Sequence, residues 1–268
     1  MKHNAYAICI SGLLLAAPLF AAAAEEQKAP VSNIPLSAVL TAAEQGDLNA
    51  QIALAVMYDR GDGVPKDPTQ SFKWLLRAAE AGRADAQFLV SDSYKHGQGV
   101  AKDEAEGLVW RRKAAEGGHV PAQLSLGYEY SQGLGVQRNN TEAALWFRKA
   151  AEKGNAFAQN FLGEAYALGK GVPRDDSQAL KWYGAAAAQG LAIAQFNLGL
   201  LYANSGAQIP RDVVRAYMWL DLASRQGDGA ASLTRASLTK TMSSAEVKRA
   251  EALAQKCLAA KYENCDGN

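Results

Sequence analysis

Residues 158–193 read AQNFLGEAYALGKGVPRDDSQALKWYGAAAAQGLAI. Ala158, Leu162 and Tyr166 stand four apart, the spacing of one helical face. Gly169 and Gly171 then interrupt that face, and Asp175 follows, a residue type whose side chain caps helix N-termini. Ala179, Trp182 and Ala186 restore helical spacing, and Gly190 closes the stretch. The segment therefore predicts two helices joined by a glycine turn.

The same order of residues recurs at a fixed step. Ala-Gln begins at Ala50, Ala86, Ala122, Ala158 and Ala194, each 36 residues after the last. Tyr58, Tyr94, Tyr130, Tyr166 and Tyr202 follow eight residues after each alanine. Gly-x-Gly-Val occurs at Gly61, Gly97, Gly133 and Gly169, and tryptophan at Trp74, Trp110, Trp146 and Trp182. The fifth unit has drifted: it carries one inserted residue, so Asp212, Trp219 and Gly227 each fall one place late. No isolated helix pair can bury an apolar face of this kind, whereas stacked pairs bury it continuously. The fold expected is all-α, a right-handed α/α solenoid superhelix. Its units are residues 50–85, 86–121, 122–157, 158–193 and a degenerate 194–230. A half-repeat over 35–49 caps the N-terminal side, and helices and tail over 231–268 cap the other. Within that cap, Ala230 to Leu238 forms a short helix, and Ser243-Ser244-Ala245-Glu246 is a capping box opening a last one toward Cys257.

The two ends add a destination. Lys2 precedes an apolar run from Ala5 to Leu19, and Ala22 and Ala24 supply small side chains before Glu25. This is the layout of a cleaved secretory signal peptide over residues 1–24, followed by a flexible lead-in over 25–34. The competing reading, a membrane anchor, needs about 20 apolar residues, and the run is shorter. The protein is thus expected to be exported, in the periplasm, without an integral membrane segment after cleavage. Loss of residues 1–24 removes only Lys2 from the charge balance, leaving 27 basic against 27 acidic side chains. No basic stripe is present, which argues against nucleic acid as a partner. Cys257 and Cys265 remain. In an oxidising compartment the pair suggests a disulfide, two free thiols being the alternative. Unbroken helix would hold them about 12 Å apart, so a bridge requires the last helix to stop near Ala260.

The repeated pattern resembles the Sel1-like repeat, a relative of the tetratricopeptide repeat, from residue 37 to about residue 230. The fullest match is residues 158–193, with Leu162-Gly163, Tyr166, Gly169 to Val172, Asp175, Ala179, Trp182 and Gly190. Ala55 and Ser91 depart from it at the glycine after the leucine, and Gly107 at the alanine before Trp110; looser local packing is expected there. The resemblance implies an α/α superhelix acting as adaptor or scaffold. Exported bacterial members include regulators binding periplasmic sensor proteins, organisers of envelope machinery, and immunity proteins that neutralise secreted effectors. A cysteine-rich branch is associated with penicillin binding.

Candidate chemistry is sparse. The glycine turns lack the preceding strand and third glycine of a dinucleotide loop. Asp92 and His96 share a helix face but have no third ligand, so an exposed hydrogen-bonding pair is expected rather than a metal or acid–base site. His119 sits in a turn before Pro121. Ser237-Leu238-Thr239-Lys240 matches Ser-x-x-Lys without the accompanying motifs of penicillin-recognising enzymes. No catalytic residue, metal site or cofactor is therefore expected.

Function is sought instead in the positions that do not repeat. On the first helix of units two to five, one stripe varies: Leu89, Asp92, His96; Ser125, Tyr128, Gln132; Phe161, Glu164, Leu168; Asn197, Leu200. In tetratricopeptide-like solenoids first helices line the concave side, so this stripe is expected to form a groove that holds another protein. If Tyr128, Phe161, Leu168 and Leu200 face solvent, they mark the contact surface; the alternative is that some pack against adjacent repeats. A structural envelope scaffold, and more remotely a cell-wall or β-lactam hydrolase, are the rival functions.

Overall fold

A computed structural model describes residues 35–204, 209–262 and 265. The expectations for residues 1–34 lie outside the described residues. Among those described there are thirteen α-helices and no strand. Helix α1 spans Leu36–Glu44. Five helix pairs follow: α2 (Leu48–Arg60) with α3 (Pro68–Glu80), α4 (Ala84–His96) with α5 (Glu104–Glu116), α6 (Val120–Gln132) with α7 (Asn140–Glu152), α8 (Ala156–Leu168) with α9 (Asp176–Ala187), and α10 (Ala192–Ala203) with α11 (Val213–Arg225). Helices α12 (Gly229–Thr239) and α13 (Ser244–Ala259) end the chain. Each first helix begins two residues before its Ala-Gln, so the structural unit starts at Leu48, Ala84, Val120, Ala156 and Ala192.

Three local devices produce each pair. Gly61, Gly97, Gly133 and Gly169 end the first helices in the left-handed conformation that glycine adopts without a Cβ clash. Asp67, Asp103, Asn139, Asp175 and Asp212 then cap the second helices, their side chains accepting backbone N–H groups of the first turn. The backbone N–H of each cap residue donates to the carbonyl of that unit's tyrosine, as Asp103 does to Tyr94 at 2.9 Å. The fifth unit keeps this bond, Asp212 to Tyr202 at 2.9 Å, so its inserted residue is absorbed before the cap.

Stacking uses the other fixed residues. The Nε2 of Gln51, Gln87, Gln123, Gln159 and Gln195 donates to the carbonyl of Ala43, Ala79, Ala115, Ala151 and Ala187, at 3.0 to 3.3 Å. Those carbonyls lie near the C-terminal end of the preceding helix, and each also accepts the N–H of the closing glycine, as Ala79 does from Gly82 at 3.0 Å. The Ala-Gln dipeptide thus joins one unit to the next: a small residue permits close approach and an amide satisfies a buried acceptor. Trp74, Trp110 and Trp146 are buried, and Arg77, Lys113 and Lys149, one turn on, lie over their rings at 4.4, 3.9 and 3.9 Å.

The departures from the pattern do not loosen the packing. An added Cβ at Gly127 would stand 2.7 Å from the ring of Phe147, and one at Gly199 would stand 2.8 Å from Leu220. Ala55 and Ser91 occupy the same position and are both buried. Ser91 is fully buried and accepts from Arg111 Nε at 3.1 Å. At Gly107 a Cβ would come 3.0 Å from the Ser91 carbonyl, so this glycine draws α5 closer to α4.

Candidate functional site

The variable stripe lies at the edge of the packed layers. None of its eleven members is buried, whereas the fixed glutamines and Leu54, Val90, Leu126, Leu162 and Leu198 on the same helices all are. Leu89, His96 and Gln132 are exposed; Asp92, Ser125, Tyr128, Phe161, Glu164, Leu168, Asn197 and Leu200 are half-buried. Direct contacts tie consecutive first helices along this side. The rings of Tyr128 on α6 and Phe161 on α8 are 6.1 Å apart, and Asn197 on α10 donates to Asn160 on α8 at 3.0 Å. Glu164 is paired with Lys170 at 2.9 Å.

Two expectations need refinement. Phe161 is not free: its ring stacks on that of Phe147 in α7, 4.9 Å between centroids. Tyr128, Phe161 and Leu200 also pack against the buried layers, so each presents one flank outward and anchors a helix with the other. His96 is exposed, but its Nδ1 meets the backbone carbonyl of Asp92 at 3.0 Å rather than the carboxylate.

The most exposed large apolar side chains lie elsewhere. Val109 on α5 and Leu145 on α7 occupy one position of consecutive second helices and are 46% and 45% exposed, against 37% for Leu89. Leu134 in a glycine turn is 53% exposed and Leu233 on α12 is 77% exposed. Val109 and Leu145 stand where repeats one and four carry Lys73 and Lys181. The signal for them in the sequence is an apolar residue in a column that carries lysine in repeats one and four.

Inside the stack, Arg111 on α5 pairs with Glu129 on α6, both buried. Burial pushes the guanidinium pKa down, opposed by the charge of Asp92. His119 caps α6, its Nδ1 accepting from the Ala122 N–H at 3.3 Å, with the Phe88 ring 4.8 Å away.

A shallow cavity beside α7 is lined by Arg112, Tyr130, Val136, Gln137, Arg138, Asn139 and Glu142. Arg112 donates to the Tyr130 hydroxyl at 2.6 Å. Ser237 and Lys240 are exposed at the end of α12. Among the described residues no three His, Cys, Asp or Glu side chains cluster to hold a metal, and no helix is long and apolar enough to cross a membrane. Cys257 and Cys265 stand in disulfide geometry, Cα atoms 4.8 Å apart, because α13 stops at Ala259 and the chain reverses.

The Sel1 repeat pattern matches residues 48–82, 84–119, 120–155, 156–191 and 192–228. The chain belongs to the Sel1 repeat family. A crystallised Sel1 repeat protein from Oxalobacter formigenes is 37% identical, with 70% of this chain aligned to 74% of that one at a TM-score of 0.60. The protein c5321, a protective antigen of uropathogenic Escherichia coli with the same class of fold, is 28% identical over 85% of this chain and 64% of its own, TM-score 0.44. The immunity protein Pa5087 from Pseudomonas aeruginosa is 19% identical over 82% and 83%, TM-score 0.39. No functionally curated protein is similar enough to count as a match. The Sel1 repeat is a protein-interaction fold, so this member's partners are proteins.

Proposed function

We propose that this Sel1 repeat protein is an exported, non-catalytic binding module that clamps one partner protein along the variable stripe of its first helices. The observation that supports the reading is that none of the eleven stripe residues is buried, whereas the recurring glutamines and Leu54, Val90, Leu126, Leu162 and Leu198 of the same helices all are. Recurrence is explained by stacking, so variation on a continuous outward face is where selection for a partner can act. Within this reading we favour neutralisation of a secreted effector or regulation of an envelope protein, as in the exported members that the repeat resembles. Export rests on the layout of residues 1–24, and the Cys257–Cys265 pair, placed for a disulfide, accords with an oxidising destination.

The test is affinity capture by the full chain from the envelope of the producing cell, with mass spectrometric identification. Leu89→Lys with Leu168→Lys puts charge on the stripe without removing a packed ring. One dominant partner should be lost by this variant and kept by Leu145→Lys. Capture unchanged by the stripe variant overturns the reading. Loss with Leu145→Lys instead moves the site to the second-helix face of Val109 and Leu145. Several partners fractionating with peptidoglycan would favour the scaffold.

A further inference from the structure

The end of the solenoid is built differently from its repeats. Helix α11 buries nine of its 13 residues, Met218, Leu220 and Leu222 among them. It is enclosed because α10, α12 and α13 all pack on it. The fully buried residues of α13 are Ala250, Ala254 and Cys257, with Val247, Leu253 and Leu258 half-buried against the same layer. Cys257 is the last fully buried side chain of this 16-residue helix, two residues before it ends at Ala259.

Beyond Ala260 the chain makes a hook. Lys261 at φ 50° and Tyr262 at φ 69° are the only non-glycine residues at positive φ among those described. Side chains with a Cβ enter this region at a cost of about 1–2 kcal/mol per residue, so the hook opposes local preference. The Tyr262 N–H donates back to the Cys257 carbonyl at 2.9 Å. The Tyr262 ring lies over Gly190, in the turn between α9 and α10, so close that a Cβ there would stand 3.1 Å from it. Cys265 then returns to the buried layer beside Cys257. The hook thus connects the end of α13 to repeat four.

We propose that the Cys257–Cys265 bond is a redox latch that closes the C-terminal end of the solenoid. Two thiols are oxidised to one disulfide by exchange with a disulfide donor, which takes up the two electrons and two protons and leaves as a dithiol. Closure holds the left-handed hook, seats Tyr262 on Gly190 and presses α13 onto α11. In the reduced chain the hook relaxes, Tyr262 leaves Gly190, and α13 detaches intermittently to expose the apolar side of α11. A reducing compartment therefore keeps this end open, and a disulfide-donating one shuts it. This timing rests on the export reading; the latch itself does not.

Hydrogen exchange read by mass spectrometry on the purified full chain tests it, oxidised and after treatment with a phosphine reductant. Reduction should raise exchange in residues 244–259 by up to about a hundredfold, the loop-closure effect of a short cross-link. Residues 188–191 should also loosen while α6 and α7 stay unchanged. Tyr262→Ala, kept oxidised, should loosen residues 188–191 and leave most protection of α13. Equal protection of α13 in both redox states overturns the latch. Reoxidation of the reduced wild type must restore protection, which keeps the test valid if cysteine variants fail to fold. The export reading fails separately, if residues 1–24 are retained and the protein fractionates with the cytoplasm.

Discussion

The guanidinium of Arg111 and the carboxylate of Glu129 pair inside the junction of repeats two and three, in a layer that is otherwise apolar or small. The positions equivalent to Arg111 hold Leu75, Phe147, Tyr183 and Leu220; those equivalent to Glu129 hold Met57, Ser93, Ala165 and Leu201. One Glu129 carboxylate oxygen is buried without a hydrogen-bond partner. Breaking a buried pair strands a charge, whereas replacing both members by apolar groups is often neutral. Arg111→Leu should therefore cost about 3 kcal/mol, and Arg111→Leu with Glu129→Leu should recover to within about 1 kcal/mol of the parent. Urea unfolding followed by tryptophan fluorescence gives the cycle. A double variant as unstable as the single one would show that the pair contributes net stability.

Gly135 and Gly171 hold the same place in consecutive glycine turns, at φ 68° and 75°. Their surroundings differ. A Cβ at Gly135 meets nothing within 4 Å, while one at Gly171 would lie 2.0 Å from the Asn140 carbonyl oxygen. Gly135→Ala should cost about 1 kcal/mol, the backbone term alone. Gly171→Ala has to push helix α7 away and should cost roughly 3 kcal/mol or more. Thermal melts of the two variants check this; equal shifts would mean that repeats three and four separate more easily than their close approach implies.

That contrast marks what could be read from the chain. The helix pairs were legible because the capping acids, glycines and alanine stripes recur at a constant step, and each acts within its own few residues. Variation alone did not tell outward positions from buried ones, since Phe88, Arg111 and Glu129 vary between repeats and are buried in the stack. Contacts between units were not legible either. Nothing in the linear sequence brings Phe161 onto Phe147, or separates Arg111 from the exposed Arg112 beside it. Arg111 is recognisable only against its column, as a charge where other repeats carry Leu, Phe or Tyr.

Gly127 and Phe147 test the same layer from the other side. An added Cβ at Gly127 would lie 2.7 Å from the Phe147 ring, and that ring is buried and stacked on Phe161. Gly127→Ala should lower stability by about 1–3 kcal/mol through overpacking. Phe147→Leu should relieve part of that clash, because repeat one carries Ala55 and Leu75 at these positions, while Leu220 still stands 2.8 Å from a Cβ added at Gly199. The two changes are thus expected to be non-additive, the double variant being more stable than the sum predicts. Additive losses would mean that the helices separate instead of repacking.

His119 predicts a pH dependence with a definite sign. Burial holds its imidazole below the ordinary value of 6.5, helped by the charge of Lys153 and opposed by Asp85. The neutral ring is also the form that can accept the Ala122 N–H. Below about pH 6.5 the unfolded chain binds a proton that the folded chain resists, so stability is complete above that pH and falls as the pH drops. His119→Asn keeps a capping acceptor, as Asn155 does one repeat later by accepting from Ala158 at 2.9 Å. It loses the contact with Phe88, a change that does not vary with pH. The variant should therefore show a flatter dependence of melting temperature on pH between about 5 and 7. If the slope is the same in both proteins, acid sensitivity in that range comes from groups other than this cap.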